Sequence, residues 1–142
     1  MIYDDLIKEL KEDLSFNETN LSDKLSNLPV ITTKWTDRLI VCKVDINKMI
    51  NFKYKVIKRS SKYYNGKSKH HESGKLCPFT LSEKEIREVW IPADNDVINI
   101  KEKIDQKQKE IDFLDHAVKQ CNDVRWTIKS FIDWERYRNG AM

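Results

Sequence analysis

The chain has 142 residues, of which 39% are hydrophobic and 35% are charged, with 26 Lys and Arg against 23 Asp and Glu. This length suits a single domain, and so charged a composition predicts a thin core that oligomerisation would complete. Three widely spaced cysteines predict a reducing compartment, not a disulfide framework, and no apolar run is long enough to cross a bilayer, so we expect a cytoplasmic protein without a membrane partner.

Two short amphipathic helices are predicted at the start of the chain. Leucines recur at every fourth position of the helix predicted over residues 3–13. The polar segment 15–20 interrupts this pattern, and Thr19 or Ser22 is the expected cap of the second helix.

A long helix is predicted from Pro29 to the turn signal Asn65-Gly66, since proline is tolerated in a first helical turn and no breaker lies between. At about 100° per residue, one side of this helix is apolar. The predicted core side comprises Trp35, Leu39, Cys42, Ile46, Ile50, Tyr54 and Ile57. The opposite side is cationic, so the helix is predicted to join a core face to a basic face.

The basic face belongs to a segment of unusual charge, because no acidic residue lies between Asp45 and Glu72 while eight Lys or Arg residues do. Without those eight cations the chain would be net negative. Such a patch attracts a phosphate backbone, and aromatic rings among the lysines offer faces for unstacked bases. The residues predicted to bind single-stranded DNA are Lys48, Lys55, Lys58, Arg59, Lys62, Tyr63, Tyr64, Lys67 and Lys69.

Two alternatives accompany this prediction. A lysine-rich face can serve solubility alone, although solvated faces usually interleave both signs of charge, as residues 101–110 do here. Tyr63 and Tyr64 can equally pack at a helix end instead of stacking on bases.

The segment 65–78 is polar and basic, contains Gly and Ser, and is predicted to be a surface loop. His70, His71 and Glu72 with Cys77 suggest a metal site, but further ligands at helical or knuckle spacing are missing. We therefore predict no metal and no cofactor. Because no catalytic constellation is visible either, we predict a protein that is not an enzyme, with a metal-dependent nuclease as a remote alternative.

A short helix is predicted over residues 83–89, where Thr80 and Ser82 can supply the cap. The alternation of apolar residues from Ile86 to Trp90 fits a strand as well. We adopt the helix because a capping residue precedes it.

The C-terminal region 94–140 is predicted to form oligomerisation helices. Asp94 or Asp96 can cap the first, whose apolar residues follow a heptad rhythm, and Asn122-Asp123 is expected to separate it from a last helix that ends near Gly140. That last helix offers more apolar surface than it can bury in its own subunit. The predicted subunit interface comprises Ile111, Leu114, Val118, Trp126, Phe131 and Trp134.

Short matches to one known family occur in order along almost the whole chain. They are Glu9-Leu10-Lys11, Asp13, Thr19, Leu21, Lys34-Trp35, Lys58, Tyr63-Tyr64, Gly66, Ala93-Asp94, Asp96, Ile128-Lys129, Ile132, Glu135 and Gly140. In this order and spacing the chain resembles the UvsY recombination mediator proteins of T-even-like bacteriophages.

The resemblance implies a fold and an activity. With the patterns above, it predicts an all-α, elongated helical subunit over residues 1–142, with a basic helix and loop at 34–78 and coiled-coil-like C-terminal helices, that assembles into a ring-like homo-oligomer. It implies binding to single-stranded DNA, to a phage recombinase and to a phage single-strand-binding protein in the infected host cytoplasm. The implied function is loading of the recombinase onto DNA that the single-strand-binding protein covers. The alternative is a helical oligomeric scaffold with weak polyanion binding.

Family members carry a Lys, and an Arg two positions later, that are linked to DNA binding. Lys58 matches the first of these positions, while Ser60 stands at the second. Arg59 is the neighbouring cation, but one residue corresponds to about 100° around a helix, so its side chain need not reach the same phosphate.

Overall fold

A computed structural model describes residues 2–140 of the chain. Its elements are α1 (Ile2–Leu14), α2 (Leu21–Tyr64), α3 (Glu83–Glu85), a π-helical turn (Ile86–Trp90), α4 (Ile91–Ala93) and α5 (Asn95–Arg138). No β-strand occurs in that range, which confirms the all-α fold class. No helix among these residues has an apolar stretch long enough to cross a bilayer.

The prediction that Pro29 begins a separate helix is wrong, because α2 runs through Pro29 as one helix of 44 residues. Pro29 has no N–H to donate to the carbonyl of Leu25, which ordinarily breaks a helix. Here Leu28, which is buried against Ile128 of α5, precedes the proline and the fully buried Trp35 follows it, so packing holds the helix on both sides of the proline. Neither Thr19 nor Ser22 is the cap, since Asn20 immediately precedes the first helical residue.

The buried side of α2 follows a heptad spacing, and the prediction of Tyr54 as a core residue is wrong. Tyr54 is 62% exposed, whereas Val56 and Ser60 are buried. The buried and partly buried positions along this side are Trp35, Leu39, Cys42, Ile46, Met49, Lys53, Val56 and Ser60. Their period is 3.5 residues, so a wheel drawn at 3.6 residues per turn drifts off the contact line within a few turns.

Helix α5 is also continuous over 44 residues, so the predicted break at Asn122-Asp123 is wrong. Both residues retain a backbone N–H and both are exposed, which limits their cost to below about 1 kcal/mol each. Burial of Cys121 and Ile128 on either side outweighs that cost. The predicted stop is confirmed, because the helix ends at Arg138 and Gly140 has a φ of 76°.

The short helix after the loop begins as predicted and extends further. Ser82 caps it, since its Oγ accepts the amide of Glu85 over 3.2 Å. The strand alternative for Ile86–Trp90 is wrong, because this segment forms a π-helical turn.

The chain divides into two compact units. One contains the described residues up to Lys43 together with those from Lys109 onward, and the other contains Val44–Gln108. In the first unit Leu21, Leu28 and Ile128 form a buried cluster. In the second, Val56 packs against Val97 and Ile100. Each unit therefore has its own core, built from segments of the two long helices.

An ion-pair network joins α1 to α2 in the first unit. Arg38 donates to both carboxylate oxygens of Glu9, over 2.8 and 2.9 Å, and Lys34 pairs with Glu9 and Asp13. These donors, Arg38 foremost, lower the pKa of Glu9 to about 2. The indole N–H of the fully buried Trp35 donates to Asp13 over 3.0 Å, so the network also orients a core residue.

Candidate nucleic-acid interface

Five predicted DNA-binding cations lie on one exposed side of α2 in the unit Val44–Gln108. They form the cationic face and are Lys48, Lys55, Lys58, Arg59 and Lys62. Spacings of three, four and seven residues bring their side chains to the side of the helix opposite the heptad seam. Within residues 2–140 none of the four lysines forms an ion pair, so their charge is available to an external anion.

An aromatic ring interrupts this face. Phe52 is 52% exposed and lies three residues before Lys55 and four after Lys48. Tyr54 is exposed beside it, with the ammonium of Lys53 5.4 Å from its ring centroid. Neither aromatic was assigned to the site from the sequence, although both lie in the charge-biased segment. An exposed ring amid lysines can stack on a base while the lysines hold the phosphates.

Arg59 differs from its lysine neighbours because its charge is partnered. Its Nη2 lies 3.3 Å from Asp96 Oδ2 at the start of α5. Ser60, at the position where the family carries Arg, is buried on the heptad seam. Lys58 therefore has no ion-pair partner in the described part of the chain, whereas Arg59 must leave Asp96, or share it, to contact a phosphate.

The two tyrosines at the end of α2 make different contacts. The hydroxyl of Tyr64 donates to Asp94 Oδ2 over 2.8 Å, and burial together with this carboxylate raises the pKa of Tyr64 well above its ordinary value. Tyr63 stacks its edge on the His70 ring, with centroids 4.9 Å apart. The helix stops in a Schellman motif, since Gly66 takes a φ of 74° and Lys67 N–H donates to the carbonyl of Lys62.

The loop beyond Gly66 carries two further predicted contacts, Lys67 and Lys69, and both are exposed. The residues that follow contact the start of α5, since His71 Nε2 lies 3.3 Å from Asp96 Oδ2. His71, Glu72 and Asp96 thus offer three ligand atoms within 4.8 Å of one another. Asp96 could not be found by spacing in the sequence. A metal there would compete with Arg59 for this carboxylate, because Asp96 Oδ2 is also 3.3 Å from the guanidinium.

The fold assembles a row of aromatic rings that the sequence does not reveal. Successive centroid distances are 5.9 Å from Phe79 to Trp90, 5.7 Å from Trp90 to Tyr64, 5.0 Å from Tyr64 to Tyr63, 4.9 Å from Tyr63 to His70 and 4.6 Å from His70 to His71. Phe79 is 58% exposed at one end. A groove of about 510 Å³ runs beside this row.

The predicted subunit interface, in the other unit, divides into buried and exposed residues. Ile111 and Leu114 are buried by the chain itself, and Val118 is partly buried, so they offer a partner little surface. The aromatic residues remain exposed, Trp126 at 63%, Phe131 at 44% and Trp134 at 56%. Exposed tryptophans of this kind are characteristic of interface anchors.

Comparison with known proteins identifies the family. Residues 9–141 match the profile of the family described as "Recombination, repair and ssDNA binding protein UvsY". No curated protein sequence matches the chain. Two crystal structures of the bacteriophage T4 recombination mediator protein UvsY share its fold. One has a TM-score of 0.81 at 20% identity and covers 96% of each chain. Another has a TM-score of 0.82 at 21% identity, covering 94% of this chain and 98% of that one. With a helical fold, an exposed cationic face and a family match over nearly its full length, this chain belongs to the UvsY family of recombination, repair and single-stranded-DNA-binding proteins.

Proposed function

We propose that this protein is a recombination mediator that binds single-stranded DNA along the cationic face and promotes loading of a strand-exchange recombinase onto DNA covered by single-strand-binding protein. The observation that carries the proposal is a row of exposed lysines that form no ion pair within residues 2–140, in a member of this family. They are Lys48, Lys55, Lys58 and Lys62. Each lysine that neutralises a phosphate releases counterions, which is the main source of affinity for a nucleic-acid backbone.

Assembly into a homo-oligomer is part of the proposal. Trp126, Phe131 and Trp134 leave large apolar surface exposed on the C-terminal part of α5. A second copy of the chain would cover it, and a ring of copies would present many cationic faces to one strand. Binding at one face raises the effective DNA concentration at the next, so avidity can exceed single-site affinity by ~10²–10⁴.

The mediator activity follows from binding alone. A strand held by several faces is bent away from the covering protein, which lowers the free energy needed to begin a recombinase filament. No bond is made or broken by this chain, so nucleotide hydrolysis belongs to the recombinase. The site of action is the cytoplasm of the infected host, where recombinase and covering protein meet DNA.

Recombinase assembly on coated single strands tests the proposal. The protein should shorten the lag before filament growth, and a variant with Lys55, Lys58 and Lys62 all replaced by Ala should lose this effect. The matched control replaces the exposed Lys101, Lys103 and Lys109 of α5 by Ala, which changes the net charge equally. If the wild-type protein binds oligonucleotides but does not shorten the lag, the result would favour a scaffold with weak polyanion binding.

A further inference from the structure

We propose that the groove beside Phe79 and Trp90 binds an unpaired nucleobase of the DNA strand held by the cationic face. The inference rests on the proposed function and adds to it a second kind of contact, made to a base instead of a phosphate. It concerns residues outside the charge-biased segment that indicated the DNA site.

The size and position of the groove fit this ligand. Its volume is about 510 Å³, within the range of small-ligand sites. Tyr63 and Tyr64 line it at the end of α2, directly after Lys62 of the cationic face. A strand that follows the face toward its C-terminal end therefore arrives at the groove.

The walls offer aromatic surface suited to stacking. The rings of Phe79 and Trp90 are 5.9 Å apart and inclined by only 33°. Phe79 is 58% exposed, so part of its ring surface is left open by residues 2–140. The back of the groove is rigid, because Trp90 packs on Tyr64 and the hydroxyl of Tyr64 is held by Asp94. A rigid aromatic wall costs little conformational entropy when a base stacks on it.

The polar lining selects a base over a phosphate. Asp94 and Asp96 line the groove, but both carboxylate oxygens of Asp94 and Oδ2 of Asp96 already accept donors of this protein. The side chain of Glu72 also lines the groove, and a carboxylate there disfavours a phosphate inside. Asn95 and Asn99 are exposed and present amides, which can both donate to and accept from base edges.

A base pocket would add a selectivity that contacts between lysines and phosphates do not supply. Lysines bind duplex and single strands alike through phosphates, whereas a base enters a groove only when it is unpaired and unstacked. The groove would thus favour single strands over duplexes.

The test compares two oligonucleotides of equal length and charge, one with bases and one with abasic sugars throughout, by fluorescence anisotropy. Phe79→Ala should weaken binding of the base-bearing strand at least fivefold and leave both the abasic strand and the salt slope unchanged. Phe79→Tyr keeps a ring and should retain affinity. Val89→Ala is the matched control, since Val89 is also 58% exposed and does not line the groove.

The outcomes separate this inference from the proposed function. If the wild type binds neither oligonucleotide, the DNA-binding function itself fails. If the wild type binds the base-bearing strand and Phe79→Ala binds it equally well, the pocket is refuted while DNA binding stands. Loss of base-dependent affinity in Phe52→Ala alone would likewise refute the pocket and move stacking onto the cationic face. An apolar peptide that displaces no DNA yet binds the groove would assign it to a protein partner.

Discussion

Tyr64 Oη and Asp94 Oδ2 lie 2.8 Å apart, and this one hydrogen bond links the last residue of α2 to the residue that caps α5. Asp94 Oδ1 accepts the amides of Asp96 and Val97, over 2.9 and 3.4 Å, as an N-cap does. Both carboxylate oxygens are thus used, and the aromatic row is fixed relative to the start of α5.

Tyr64→Phe should therefore lower the free energy of unfolding by about 1–2 kcal/mol, because a part-buried hydrogen bond to a charged acceptor is lost. Urea unfolding followed by circular dichroism measures this change. Tyr63→Phe is the control, since the structure gives the hydroxyl of Tyr63 no hydrogen bond among residues 2–140. Equal stability of the two variants would show that the bond to Asp94 contributes nothing.

Lys58→Ala should reduce the dependence of log affinity on log salt by ~0.7 for single-stranded DNA. Arg59→Ala should reduce it by less, because Asp96 already neutralises part of the Arg59 charge. Binding titrations over a series of salt concentrations give both slopes, with Lys101→Ala as the control for a lost charge elsewhere. A larger loss for Arg59→Ala than for Lys58→Ala would mean that Arg59 leaves Asp96 on binding.

The network around Glu9 predicts a stability that depends on pH. Glu9 has its pKa lowered to about 2 in the fold, from an ordinary value of 4.5, so its contribution is complete above about pH 4.5 and is lost as pH falls toward 2. We expect a loss of about 1 kcal/mol, since the pair is partly exposed to solvent.

Glu9→Gln should remove that part of the acid destabilisation, as seen in unfolding curves measured between pH 2 and pH 6. Glu12→Gln is the control on the same helix, because Glu12 is exposed and its side chain makes no ion pair in the described part of the chain. Identical pH profiles for the Glu9 variant and the wild type would contradict the prediction.

Pro29→Ala should stabilise the protein, by up to about 3 kcal/mol, because an exposed interior position of α2 would regain a helical N–H donor. Thermal unfolding detects the gain. Val30→Ala tests the neighbouring exposed site, where the change should stay within about 0.5 kcal/mol. Destabilisation by Pro29→Ala would indicate that the backbone conformation fixed by the proline ring is required for packing.

Replacing both Trp126 and Trp134 by Ala should lower the mass of the native particle, because the two rings are 63% and 56% exposed in the single chain. Native mass spectrometry or sedimentation velocity measures the mass. Phe79→Ala is the control, because it removes a similarly exposed ring from the other unit and should leave the mass of the particle unchanged. An unaltered particle in the tryptophan variant would place the interface elsewhere.

The long helices could be predicted from the sequence, but their exact contact line could not. The apolar rhythm of α5 and the breaker-free stretch of α2 are visible in the order of residues. The prediction that Tyr54 lies in the core failed because the contact line between two helices repeats every 3.5 residues, while an isolated helix has 3.6 residues per turn. The predictions of a helix boundary at Pro29 and at Asn122-Asp123 failed similarly, since buried residues on both sides outweighed a local preference.

The sequence by itself determined that positive charge is concentrated between Asp45 and Glu72 and that the chain is helical, because charge and periodicity are properties of neighbouring residues. Only the tertiary structure decided which of those groups remain free. It paired Arg59 with Asp96, brought Phe79 onto Trp90, and buried Leu114 while leaving Trp134 exposed. These relationships join residues far apart in the chain or depend on which surface a partner helix covers, and no local pattern records them.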